Sequence, residues 1–173
     1  MGTDIWKEFE HNPVSHSVAH HVVAIANLRE KQGYARVSDV AKALNITRGS
    51  ASLTLKSLRQ KGLVLEDDNR FLLLSEGGQF IADSVRGKKD VVKKFFSQLL
   101  GVPAEQAEVD TCKIEHLISE ATAQRLARLL RFLESGHPRA KAFLEAWKKY
   151  QVPYQERAVG PPEGLDPLHK EKK

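Results

Sequence analysis

Two short amphipathic stretches separated by a two-residue turn constrain the fold of this chain more than any other feature. Val37-Ser38-Asp39-Val40-Ala41-Lys42-Ala43-Leu44 puts Val40, Ala41 and Leu44 on one side of a helix. Asn45-Ile46 leaves room only for a tight turn before Thr47, a residue type suited to capping a helix N-terminus. From Thr47 to Lys61, Ala51, Leu55 and Leu58 recur at i, i+4 and i+7, so a second helix buries that stripe and turns a polar face outward. Helices joined so closely have the form of a helix-turn-helix, whose second member enters the major groove of DNA.

The flanks extend the motif. A helix from about Ser15 to Lys31 is expected upstream, with Val18, Val22, Ile25 and Leu28 as its apolar stripe and Asn12-Pro13 as its start signal. Downstream, Gly62-Leu63-Val64-Leu65-Glu66 and Arg70-Phe71-Leu72-Leu73-Leu74 flank Asp67-Asp68-Asn69, which reads as a hairpin with a polar tip. Helix, helix-turn-helix and hairpin in that order make a winged helix. On its second helix Arg48, Ser50 and Ser52 stand where groove-entering side chains are expected, whereas Lys56, Arg59 and Lys61 lie further back and suit phosphates; Thr47, the N-cap, belongs to the same DNA-facing set. Arg36, ahead of the first short helix, and Arg70, in an otherwise acidic wing, complete the DNA-facing set.

Strand-like material is scarce beyond the wing, so the fold class is mainly α. Ser75 to Leu100 reads as helix, bent or interrupted around Gly87, with Phe80, Ile81 and Val85 on one apolar face and Val92, Phe95, Phe96, Leu99 and Leu100 on a second. Leu126, Leu129, Leu130 and Leu133 stripe a further helix, and Ala140 to Tyr150 adds another with Phe143, Leu144 and Trp147. Each stripe serves either the core or a subunit interface. The expected organisation is a winged-helix domain over 1–76, an all-helical domain over 77–150, and a Pro- and Gly-rich tail over 151–173 expected to be disordered.

Composition narrows the function. The 173 residues carry a formal charge of +5 with a pI near 9.3, which favours a polyanionic partner. A single cysteine excludes an internal disulfide, and Met1 to Lys7 lacks the form of a signal peptide. No apolar run approaches membrane-spanning length, so the expectation is a cytoplasmic protein without membrane contact.

That cysteine has chemically interesting neighbours. Cys112, Glu115 and His116 stand at i, i+3 and i+4, so on a helix they project from one face. A thiolate, a carboxylate and an imidazole converging on one point suit a divalent transition metal; by spacing alone they could equally be a buried cysteine beside an ordinary exposed pair.

The order of these motifs decides between the two. Gly33-Tyr34-Ala35-Arg36-Val37-Ser38-Asp39-Val40-Ala41-Lys42-Ala43-Leu44 closely resembles the start of the helix-turn-helix in the diphtheria toxin repressor family, most of all its manganese-responsive branch. The resemblance continues through Leu58-Arg59-Gln60-Lys61-Gly62-Leu63-Val64 and Leu74-Ser75-Glu76-Gly77-Gly78, and ends on Cys112-Lys113-Ile114-Glu115-His116-Leu117-Ile118-Ser119, the family's metal helix. It covers roughly residues 15–132. It implies a homodimeric, metal-activated transcription factor of the short form, without an SH3-like domain, that binds a double-stranded DNA operator and usually represses metal-uptake genes.

By position, the resemblance assigns the metal site to His20, Asp90, Cys112, Glu115 and His116. Family members have Asp or Met where His20 stands and usually His where Asp90 stands. The manganese branch has a second carboxylate where this chain has Val23, and Glu where it has Cys112; the iron branch has Cys there. Losing a carboxylate and gaining a thiolate argues against a full two-manganese cluster, since manganese prefers oxygen donors. The set fits Fe(II) or Zn(II) at least as well as Mn(II); family likeness favours iron or manganese and donor softness also zinc, so Fe(II) is the metal expected by a narrow margin, with Mn(II) or Zn(II) as alternatives. His21 would replace His20 if the first helix were rotated, with His16 as a weaker substitute.

Two other readings compete. A winged-helix regulator indifferent to metal would use Cys112 as a redox switch or simply as core. A metal hydrolase would hold zinc with His20, Cys112 and His116 and use Glu115 as base, but it would leave the basic helix unused and has no HExxH-type motif.

Overall fold

The computed structural model describes residues 14–150. The expected tail over 151–173 lies outside these residues. The order is α1 (His16–Gln32), α2 (Val37–Ala43), α3 (Arg48–Gln60), β1 (Val64–Glu66), β2 (Leu72–Leu74), α4 (Glu76–Lys94), a π-helical turn (Phe95–Leu99), α5 (Ala104–Ile114), α6 (Glu120–Glu134) and α7 (Pro138–Lys149). The class is mainly α with one small antiparallel hairpin, as expected.

Local chemistry sets most of these boundaries. The Ser15 hydroxyl accepts from Val18 N at 3.3 Å to start α1, and Gly33, at φ +84°, ends it in the left-handed conformation that glycine adopts without penalty. Thr47 caps α3 through Ser50 N at 3.1 Å. Ser75 caps α4 through Gly78 N, also at 3.1 Å, and both its N–H and its hydroxyl donate to the Leu63 carbonyl.

The core of the winged helix is built by α1, α2, α3 and the hairpin. Val18, Val22 and Ile25 of α1 meet Val40 and Ala41 of α2, Ala51, Leu55 and Leu58 of α3, and Val64 and Leu72 of the strands, all buried. The hairpin pairs Val64 with Leu74, Leu65 with Leu73 and Glu66 with Leu72. Because α4 also packs along α1, the wing, the first helix and the connecting helix are fastened together. Arg86 of α4 reinforces that contact, reaching Glu30 at 2.6 Å and also bonding Asn27 of α1.

In the second half one expectation needs correcting, and the apolar stripes divide between core and surface. Gly87 does not break α4, which runs unbroken to Lys94; the irregularity falls at Phe95–Leu99. A lone helical glycine costs only about 1 kcal/mol, and α4 is anchored on both sides of it by buried Val85 and Val92. Of the stripe residues on α4, Phe80 is 73% exposed, and Gly78 and Ala82 take the inward positions. Leu129, Phe143 and Trp147 are also exposed, whereas Leu130 and Leu133 are buried. The chain divides into two compact units, one reaching Arg131 and the other starting at Phe132. Both the winged helix and the helices around Cys112 belong to the first. No described helix is long and apolar enough to cross a membrane.

Candidate metal centre and DNA-facing surface

The helix carrying the Cys112 motif ends earlier than its spacing suggests. Regular α5 stops at Ile114; Glu115 keeps a helical conformation, its N–H bonded to Thr111 O at 2.8 Å, and the chain then tightens through Leu117. Cys112, Glu115 and His116 therefore still turn toward α1. Cys112 Sγ lies 3.3 Å from His20 Nε2, and Glu115 Oε1 lies 3.8 Å from the same nitrogen. Residues 92 positions apart in sequence thus meet at one point.

His16 comes to the same point. Being one turn before His20, its ring packs on the His20 ring at 4.2 Å between centroids and meets His116 edge-on at 5.0 Å. One donor atom each from His16, His20 and Cys112 lie within 4.8 Å of one another. His21 points away into the core, where its Nδ1 contacts Ser17 O at 2.7 Å. His20 therefore stands beside Cys112 and Glu115, and of its two suggested substitutes it is His16, not His21, that reaches the group.

Asp90 is not brought to this group. It is exposed on α4 beside a separate groove with Lys93, Lys94, Ser97 and Gln98. One residue earlier, and so rotated by about 100° around the helix, Lys89 faces the site instead. It pairs with Glu108 of α5 at 2.5 Å, and Lys93 joins the same carboxylate at 2.7 Å. A cavity of about 350 Å3 opens beside Glu115 and His20, lined also by Val23, Asn27, Arg86 and Lys89.

The electrostatics suit a cation binding to neutral donors. Burial, followed by His16 and Lys89, pushes the His20 pKa below its ordinary value, and burial does the same for His116. Both shifts favour the neutral imidazole, the form that binds a metal. Burial, with Glu115 adding to it, pushes the Cys112 thiol up. Burial also raises Glu115, against the opposing charge of Lys89. Glu115 is only 3% exposed, and its Oε2 has no hydrogen-bond partner. A buried carboxylate oxygen left unsatisfied costs free energy unless something positive or protic meets it. Two imidazoles, a thiol and that carboxylate therefore fit a divalent transition ion.

The residues expected to face DNA differ in how exposed they are. Arg48, Ser52 and Lys56 are exposed on α3. Thr47 and Ser50 bond to each other at 2.9 Å while Thr47 caps the helix. Arg59 is tied to Glu66 of β1 by a close ion pair. Arg36 lies 4.9 Å over the Phe71 ring and 5.7 Å from that of Tyr34, and Arg70 stands at the wing with φ +60°. Sequence reasoning passed over Leu53, which is 73% exposed on α3. Its spacing to Ser50 and Lys56, three residues each way, was the available signal.

A winged helix whose first helix meets a thiol, imidazole and carboxylate cluster defines a metal-responsive DNA-binding regulator. Comparison with known proteins agrees. The family described as "Iron dependent repressor, metal binding and dimerisation domain" matches residues 75–142. The HTH-type transcriptional regulator MntR of Lysinibacillus sphaericus (strain C3-41) is 30% identical over 120 residues, covering 69% of this chain and 86% of that protein. MntR of Bacillus velezensis (strain DSM 23117 / BGSC 10A6 / LMG 26770 / FZB42) is 28% identical over 137 residues, or 79% and 96% of the two chains. Among solved structures, that of the manganese regulator SloR superposes with a TM-score of 0.61 at 23% identity, over 66% of this chain and 54% of SloR, so this chain spans about half of SloR. The chain belongs to the diphtheria toxin repressor and manganese transport regulator family of metal-dependent transcription regulators. It is a regulator rather than an enzyme, and regulators of this family bind DNA and dimerise.

Proposed function

We propose that this protein is a repressor of metal-uptake or metal-homeostasis genes, switched on when a divalent metal joins His20 of α1 to Cys112, Glu115 and His116 at the end of α5. The observation that carries this reading is the 3.3 Å meeting of His20 Nε2 and Cys112 Sγ across two separate helices. Asp90, exposed elsewhere on α4, is left out of the proposed ligand set. The thiolate and the imidazoles favour Fe(II) or Zn(II) over Mn(II), whose preference is for oxygen. When bound, the metal supplies a crosslink between α1 and α5, and no chemistry on a substrate.

The functional boundary falls near residue 76, where the wing gives way to α4. Because α1 forms part of the core that supports α3, tethering α1 to α5 restricts how the recognition helix is held. In a homodimer this selects a separation of the two recognition helices that matches successive major grooves, roughly 34 Å apart. The metal shifts that equilibrium only by its differential affinity for the two arrangements; a hundredfold preference supplies about 2.7 kcal/mol. The exposed Leu129, and Phe132, Phe143 and Trp147 in the second unit, are the large apolar side chains we assign to dimer contact.

On DNA, Arg48, Ser50, Ser52 and Leu53 face base edges, Leu53 suiting a thymine methyl, while Arg36, Thr47, Lys56, Arg59 and Arg70 meet phosphates. The test is operator binding by Cys112→Ala and His20→Ala. Both should bind DNA with the weak affinity of chelated wild type, whether metal is present or not. Wild-type affinity and an intact metal response in both variants would refute the switch.

A further inference from the structure

His16 is not among the family-matched ligands, yet it is exposed at the first turn of α1 with its ring against those of both His20 and His116. Its donor, that of His20 and the Cys112 sulfur lie within 4.8 Å of one another. With metal–nitrogen bonds near 2.0–2.1 Å and metal–sulfur near 2.3 Å, donors at tetrahedral angles around one ion stand about 3.3–3.6 Å apart. The Cys112–His20 separation of 3.3 Å already meets this, and a small side-chain rotation of an exposed histidine brings the third donor in. A second observation points to the same ion. Glu115 is buried, its Oε1 is 3.8 Å from His20 Nε2, and its Oε2 lacks a partner.

We propose that His16 is a direct metal ligand, joining His20, Cys112, Glu115 and His116 in a nitrogen- and sulfur-rich centre that prefers Zn(II) to Mn(II). This rests on the metal-centre reading above and deepens it by naming a ligand and a metal preference. The physical reason is donor softness. The site has Val23 where a carboxylate would harden it, and each imidazole added beside the thiolate favours a borderline ion over manganese. Nothing in the family match would place a ligand at residue 16, because the assignment comes from the turn of α1 that stacks it on His20.

The experiment loads the full-length chain anaerobically with Co(II) as a probe for Zn(II). Thiolate-to-cobalt charge transfer reports Cys112, and hyperfine-shifted exchangeable imidazole N–H resonances count the histidine ligands. Zn(II) and Mn(II) affinities are measured alongside by competition with a chelator. His16→Ala should keep the charge-transfer band, lose one shifted imidazole resonance, and bind Zn(II) at least about tenfold more weakly with Mn(II) affinity little changed. His16→Asn should behave in the same way. An unchanged number of shifted resonances together with an unchanged Zn(II) to Mn(II) ratio would overturn the proposal while leaving the metal centre standing. Absence of the charge-transfer band in wild type would overturn the metal centre itself, and His16 with it.

Discussion

Gly78 lets the wing lie against the start of α4, and replacing it with alanine should be costly. A Cβ there would fall 2.1 Å from the Leu63 carbonyl oxygen and 3.1 Å from its carbon, so the backbone of the wing must move by most of an ångström. That carbonyl accepts from Ser75 N at 3.1 Å and from the Ser75 hydroxyl at 3.3 Å, and Ser75 in turn caps α4. Overpacking of this kind costs about 1–3 kcal/mol, and a weakened hydrogen bond adds about 1 kcal/mol. Against these stands a helix-propensity gain of about 1 kcal/mol. The net expectation is a loss of about 2 kcal/mol, a large share of the stability of an ordinary domain. Gly77 and Gly87 supply controls: a Cβ at the first meets only Leu63 Cδ2 at 3.6 Å and Ser75 Oγ at 3.8 Å, and at the second nothing within 4 Å. Urea unfolding should show a lowered midpoint with unchanged slope for Gly78→Ala, and midpoints at or above wild type for Gly77→Ala and Gly87→Ala. A Gly78→Ala protein as stable as wild type, or a Gly77→Ala protein equally damaged, would refute the close approach of wing and helix.

Three further expectations follow from the charged groups. Glu66→Gln releases Arg59 from its ion pair, so DNA affinity at low salt should rise and the dependence on salt should steepen by about one phosphate contact; an unchanged salt slope counts against Arg59 reaching DNA. Because burial pushes the Cys112 thiol up, a thiolate ligand must shed its proton to bind metal at neutral pH; Zn(II) affinity should rise with pH there, by about tenfold per unit for a single proton released, and a pH-independent affinity would contradict a thiolate ligand. Lys89 and Lys93 hold Glu108 down at about 2 from 4.5, so their stabilisation is fully present above the unfolded value and is lost as pH falls toward 2. Solvent screening limits it to about 1 kcal/mol, and the stability gap between wild type and Glu108→Gln, read by urea unfolding, should close across that range.

Much of the fold was legible in the sequence because period and caps agree in its first half. Thr47, Ser15 and Gly33 mark helix ends through chemistry that does not depend on distant contacts, and Ala51, Leu55 and Leu58 are buried as their spacing implies. The second half was less legible for identifiable reasons. Gly87 suggests a break, but packing at Val85 and Val92 outweighs its propensity, while the π-helical turn at Phe95–Leu99 inserts an irregularity that helical spacing does not register. Phe80 shows that a large apolar residue can stay on the surface.

The site divides in the same manner. The spacing of Cys112, Glu115 and His116 announces a shared face, and the spacing of His16 and His20 announces another. That the two faces meet is a tertiary fact, visible in the sequence only through resemblance. Asp90 looked the better ligand by residue type, yet Lys89 is the residue turned toward Glu115, since one step along a helix swings a side chain through about 100°.

The most direct test of the metal switch is the affinity of the wild-type protein for DNA upstream of its own gene, or of neighbouring metal-transport genes. Fe(II), Zn(II) and Mn(II) are compared anaerobically with a chelated control at one fixed salt concentration. The account predicts that at least one ion tightens binding about tenfold or more, equivalent to about 1.4 kcal/mol. Tight binding that is indifferent to chelation would contradict it and leave Cys112 as a core or redox residue of a metal-blind regulator.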